Sequence, residues 1–144
     1  MKFTTYIIID PRDDIPVYVG QSRNFQWRRE SHLNRAKGKR PNIVGINIKT
    51  YLVDLYSIGY LPKFEIVEEL TTEEESLKSE LECIRSLVEK GIPVLNNWKE
   101  HKLLNKEKFG RQYKQYFIKR ILAKDSEQLL KLGLEINDPN QEIR

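Results

Sequence analysis

Residues 3–20 read Phe3-Thr4-Thr5-Tyr6-Ile7-Ile8-Ile9-Asp10, then Pro11-Arg12-Asp13-Asp14-Ile15-Pro16, then Val17-Tyr18-Val19-Gly20. The first block is rich in β-branched and aromatic residues and predicts a strand. Residues 10–16, with two prolines and three aspartates, are turn material. Val17-Tyr18-Val19 predicts a second, short strand. The stretch therefore folds back as a hairpin whose loop is longer than the tight two-residue kind.

Outward from this hairpin, residues 24–35 predict a helix that Asn24 can cap. Residues 38–41 break the chain. Asn42 is expected to cap a second helix running to about Ile58, with Ile46 and Val53 on its apolar side and Gly59 ending it. Lys63–Leu70 (KFEIVEEL) alternates like a strand. Thr72 and Glu75 form a capping box that opens a third helix, which runs to about Lys90 and is closed by Gly91. After Asn97 the composition shifts. Residues 98–124 predict a long basic helix with a break at Gly110, residues 126–132 a short last helix, and residues 137–144 a fraying end. The expected architecture is α/β of the α+β type: a small, three-stranded, mainly antiparallel sheet flanked by helices, with a helical C-terminal extension. The division expected is 1–97 for the sheet-containing part and 98–144 for the basic extension.

Composition narrows the function classes. At 144 residues, with 39% hydrophobic and 32% charged residues, the chain suits one compact domain with a heavily charged surface. No apolar run approaches the roughly 18 residues of a membrane span, and the N-terminus lacks a signal-peptide layout, so no membrane partner is expected. The single cysteine, Cys83, excludes an intramolecular disulfide and fits a reducing, cytoplasmic setting. Two histidines and one cysteine argue against a structural zinc site.

Charge is unevenly spread. Residues 23–49 carry eight basic side chains against one acidic, and residues 99–124 carry nine against two, each a net +7. The segment 65–89 between them is acidic. Basic stretches beside an acidic one suit a phosphate-binding surface next to a metal-holding carboxylate. Solvated helix faces account for either run equally well.

Periodicity singles out particular side chains. On a helix starting near Phe25, the 100° step gathers Phe25, Arg28, Arg29, His32 and Ala36 in one arc, with Arg28 and His32 one turn apart. In the third helix Leu77, Leu81, Ile84, Leu87 and Val88 share an arc, and Glu80 falls inside it while Glu82 lies opposite. A carboxylate among core leucines is expected to be paired or to hold a metal. A buried ion pair between Glu80 and an arginine is the bland reading.

Taken in order, Thr4-Thr5-Tyr6, then Tyr18-Val19-Gly20, then Arg28, His32, Glu80 with Ile84 four residues on, and Asn96 form a series that resembles the GIY-YIG nuclease domain over residues 3–97. That family carries Gly-Ile-Tyr where this chain has Thr4-Thr5-Tyr6, and the tyrosine is kept. The resemblance implies a metal-dependent DNA endonuclease. It implies Tyr6 as the group that activates water, Tyr18 and His32 assisting, Arg28 clamping the scissile phosphate and Glu80 holding Mg²⁺ or Mn²⁺. Tyr6 can act as a base only where a metal or neighbouring cation stabilises its phenolate. Gly20, Gln21, Arg29 and Asn96 are the residues expected to line or brace the substrate site. The extension interleaves basic residues with Phe109, Tyr113, Tyr116 and Phe117. It is expected to pack back on residues 1–97 with a basic face outward, or to mediate DNA or homodimer contacts. A double-strand cut needs a dimer or two visits, because one metal site serves one strand. Two other classes fit the same charges: a catalytically silent nucleic-acid-binding protein of the same fold, and an interaction protein whose basic helices bind an acidic partner.

Overall fold

The computed structural model describes residues 2–39 and 45–132. The elements follow the order β1 (Phe3–Asp10), β2 (Ile15–Ser22), α1 (Phe25–Ala36), α2 (Ile48–Ser57), β3 (Lys63–Leu70), α3 (Glu73–Glu89), α4 (Lys99–Phe109), α5 (Lys114–Leu122) and α6 (Ser126–Leu132). The strands form one antiparallel sheet in the order β2-β1-β3. This is the α+β layout that the strand and helix periodicities predict.

β1 is central, which explains why all but one of its eight residues are buried. β2 begins at Ile15 rather than Val17. Pro16 can join it because β2 is an edge strand, where a missing N–H breaks no ladder bond on the open side. The hairpin turns through Asp14, whose φ of 59° is left-handed.

Register assigns the two faces of the sheet. Tyr6 pairs with Gly20 and Ile8 with Tyr18 on one face; Thr5 pairs with Gln21 and Ile7 with Val19 on the other. α1 covers the first face, its Phe25 and His32 meeting the Tyr6 ring. α3 covers the second. There Ser79 Oγ lies 2.8 Å from Thr5 Oγ1, Ser76 Oγ donates to Gln21 Oε1 at 2.9 Å, and Ser79 also donates to Glu68. These small side chains let the helix approach the sheet closely and fix its rotation.

The second helix starts later than its apolar pattern suggests. Asn47, not Asn42, is its cap, and Asn47 and Thr50 exchange reciprocal side-chain and backbone bonds. Asn42 lies outside the described residues, as do residues 137–144. Gly59 and Gly91 adopt the positive φ expected of helix-ending glycines. Gly110, at φ 83°, separates α4 from α5.

The hydrophobic core runs across residue 97: Tyr6, Ile8, Tyr51, Ile84 and Val94 share one cluster with Phe109, Tyr113 and Phe117. Within the extension Phe117 is buried and Leu104 and Ile121 pack against this core, whereas Leu103, Ile118 and Leu122 are exposed. The surprise in α5 is Arg120, which is fully buried. Its guanidinium bonds both oxygens of Asp13 and the hydroxyls of Tyr51 and Tyr116, and it lies 3.2 Å from Asp10. Arg12 reaches back to the Arg120 and Ala123 carbonyls while pairing with Asp10 at 2.7 Å. Every charge in this assembly has an opposite partner, so its desolvation cost is offset by Coulombic attraction and hydrogen bonds. No helix among the described residues is long and apolar enough to cross a membrane.

Candidate active site

A cleft of about 310 Å³ opens beside β2, lined from both faces of the sheet. Tyr18, Arg28 and His32 line it from the α1 side, Gln21 and Glu80 from the α3 side, and Asn96 from the segment between α3 and α4. Among the described lining residues Glu80 is the sole carboxylate, against three cations: Arg28, Arg35 and Lys49.

Glu80 sits in the apolar arc of α3, as its helical phase requires, and is 7% exposed. Burial alone pushes its carboxyl from 4.5 up to about 7. No hydrogen-bond donor among the described residues satisfies it; its nearest charged-pair contact is His101 Nε2 at 3.6 Å. Among the described residues Glu80 makes no ion pair with an arginine, although Arg28 lines the same cleft. A carboxylate left half-starved of partners is ready to take a cation.

Tyr6 lies behind the cleft wall. Its Oη is 3.0 Å from His32 Nε2. Burial, helped by Tyr18, pushes the phenol up to about 12, while the nearby Arg28 guanidinium pulls the other way. Tyr18 is raised by burial and by Glu80, again opposed by Arg28. His32 is held neutral: burial, then the charges of Arg28 and Arg35, bring it down to about 4. Arg28 thus stands among two phenols and an imidazole, with no carboxylate partner among the described residues.

Gly20 has a steric reason to be glycine. A Cβ there would lie 2.8 Å from Tyr6 Cε1 and nearer still to its Cζ and Oη. The absent side chain is what lets the phenol lie flat against β2 and reach His32.

Asn96 binds the backbone of one residue twice: its Oδ1 accepts from Val19 N–H at 3.1 Å and its Nδ2 donates to the Val19 carbonyl. Leu95 N–H adds a bond to the Val17 carbonyl at 2.8 Å. The open edge of β2 is thereby covered. Asn105 of α4 repeats the device on Val94, at 3.1 and 2.9 Å. Asn96 therefore fixes the cleft wall. Arg29 does not line the cleft; it is exposed, with its guanidinium 5.7 Å over the Phe64 ring.

Among the lining residues that sequence reasoning missed are Arg35, Lys49, Trp98 and His101. His101 and Trp98 belong to the segment assigned to the extension, and no local pattern links a residue of α4 to Glu80. Arg35 and Lys49 carried a signal, as members of the basic stretch 23–49, but not one that separated them from its solvated neighbours.

The residues fit a hard divalent cation in one way. Among the described residues no group of three or more His, Cys, Asp or Glu could hold a metal, so a closed protein cage is excluded there. One buried, unneutralised carboxylate beside a polar cleft suits an ion that keeps most of its waters and takes further oxygens from a phosphate. Comparison of the chain with family models, with curated proteins and with solved structures finds no match.

Proposed function

We propose that this chain is a divalent-metal-dependent endonuclease that hydrolyses DNA phosphodiester bonds, of the GIY-YIG type that its motifs resemble. The observation that carries the reading is the placement of Glu80: a buried carboxylate without a compensating charge among the described residues, in the same cleft as Arg28 and beside the Tyr6–His32 pair. Hydrolysis of a phosphodiester needs an activated water, neutralised phosphate charge and a stabilised leaving oxygen.

Glu80 would hold Mg²⁺ or Mn²⁺, which supplies charge neutralisation at the phosphate and acidifies bound water. Arg28 binds the scissile phosphate through its planar fork of donors and meets the negative charge that grows in the transition state. Arg35 and Lys49 draw the DNA backbone into the cleft. Tyr6 takes a proton from the attacking water as it passes its own hydroxyl proton to the neutral His32 at Nε2, 3.0 Å away. At rest this phenol is protonated, and the charge of Arg28 beside it lowers the cost of the phenolate. His32, neutral at physiological pH, holds the phenol oxygen in position through Nε2. Gln21 and Asn96 keep the two walls of the cleft at fixed separation, through Ser76 and Val19 respectively.

A plasmid-nicking assay with and without Mg²⁺ or Mn²⁺ tests this. The wild type should convert supercoiled DNA to nicked product only when metal is present, and Glu80→Ala should abolish cutting while retaining DNA binding. Failure of the wild type to cut supercoiled or single-stranded DNA with either metal rejects the nuclease reading. Binding without cutting would instead favour a silent DNA-binding protein of the same fold.

A further inference from the structure

Trp98 stands at the mouth of the cleft, and the proposed nuclease chemistry leaves it unused. It is 58% exposed, yet its orientation is set. The indole stacks on the His101 imidazole at 5.6 Å between centroids and an interplanar angle of 12°. His101 is itself 3% exposed. Its Nδ1 is buried without a hydrogen-bond partner among the described residues. Hydrogen bonding therefore does not fix the imidazole; the Trp98 stack and the approach to Glu80 at 3.6 Å do. One face of the indole is thus backed by a buried ring, and much of the remaining ring faces solvent in a cleft that also holds Arg28 and Lys49.

An oriented, exposed aromatic plane beside phosphate-binding cations is the chemistry that recognises a nucleobase. Stacking needs a free π-face, and in an intact duplex both faces of every base are already covered by neighbours. We propose that Trp98, buttressed by His101, is a stacking platform for an unpaired nucleobase adjoining the phosphate held at Arg28. The substrate class is then DNA that is single-stranded, frayed or extruded next to the scissile bond. This rests on the nuclease reading only for the position of the phosphate. The size of the cleft, near the lower end of ligand cavities, suits one nucleotide rather than a duplex end.

The chain has two tryptophans, Trp27 and Trp98. Trp27 is 61% exposed on α1 and does not line the cleft, so Trp27→Phe leaves Trp98 as the reporter. With divalent metal chelated, this protein is titrated with single-stranded oligothymidylate and with a fully paired duplex of equal length. Single strands should quench the Trp98 emission, and the duplex should bind with little quenching. In the wild-type background, Trp98→Ala should weaken single-strand binding about tenfold or more and leave duplex binding nearly unchanged. Trp98→Phe should restore most of the loss. Saturating single-strand binding without quenching, or equal losses of both DNA forms in Trp98→Ala, overturns the platform. Quenching without any metal-dependent cutting keeps the platform and rejects the nuclease. Cutting with no quenching does the reverse.

Discussion

Replacing Glu80 by glutamine should make the metal-free protein more stable at alkaline pH. The fold raises this carboxyl from 4.5 to about 7 by burial. A group whose folded-state value is raised stabilises the fold while it is protonated and loses that contribution as pH climbs through the folded value. Below 4.5 both states are protonated and Glu80 costs nothing. Between 4.5 and about 7 the unfolded chain ionises while the folded one resists, so stability drains away. Above 7 the loss is complete. At about 1.4 kcal/mol per tenfold change in proton affinity, the full penalty is about 3 kcal/mol. Glutamine keeps the shape of the protonated acid at every pH. Glu80→Gln should therefore match wild type at pH 4 and exceed it by about 3 kcal/mol at pH 8, on the order of 10 °C in Tm for a chain of this size. Thermal and denaturant unfolding of both proteins in chelator, at both pH values, would measure this. Adding Mg²⁺ at pH 8 should then raise the Tm of wild type and leave the variant unmoved, because only the carboxylate gains a cation. If glutamine is destabilising at pH 8, or its effect is the same at both pH values, Glu80 is a structural residue and the reasoning about the cleft collapses.

Arg28→Ala should cut turnover on the order of 10²- to 10³-fold while DNA affinity, read by gel shift, falls by less. Retained nicking would remove Arg28 from the site. Gly20→Ala forces a methyl group into the Tyr6 ring and should cost about 1–3 kcal/mol together with loss of cleavage, measured by unfolding and nicking on the same preparation. Arg120→Met strands Asp13 in the interior and removes one of the two arginines that meet Asp10, and urea unfolding should show a loss of about 3–5 kcal/mol. Asp10 gives that cluster an acid signature. Burial alone would raise its carboxyl, but hydrogen bonds from Arg12 and Tyr51 and the charge of Arg120 hold it below the ordinary range. Its contribution is present at neutral pH and lost as pH falls through the folded value, so the Arg120→Met penalty should shrink in acid unfolding series.

The parts of the fold that were legible in the sequence are those set by local chemistry. The alternation of Lys63–Leu70, the Thr72 cap and the helix-ending glycines Gly59 and Gly91 each depend on a few neighbouring residues. The phase of Glu80 was legible for the same reason: helical periodicity places it among Leu77, Ile84 and Val88 whatever packs on top. Arg29 shows the limit of that argument. It shares an arc with Arg28 and His32, but 100° is wide enough for one residue to face the cleft and the next to slide over Phe64. Asn42 and Asn47 are equally good caps in isolation, and the reciprocal bonds with Thr50 decide between them. His101 and Arg120 could not be read at all, since their carboxylate partners lie far off in sequence, Glu80 for the one and Asp13 for the other, and Trp98 follows from His101, on which it stacks.

The two polar assemblies buried in this chain differ in a way that separates scaffold from site. Around Arg120, two arginines meet two aspartates, and two tyrosines fill the remaining donors and acceptors. A network so completed holds α5 to the hairpin turn and presents nothing to a ligand. Around Glu80 the accounting stays open. Among the described residues the carboxylate lacks a cation, Arg28 lacks a carboxylate, the imidazole of His101 lacks a partner at Nδ1, and all three line one cleft. A fold able to satisfy Asp10 and Asp13 so fully has no difficulty pairing Arg28 with Glu80, two residues facing the same space. That they form no ion pair among the described residues, with Glu80 buried, is the ground for proposing a phosphate and a metal between them.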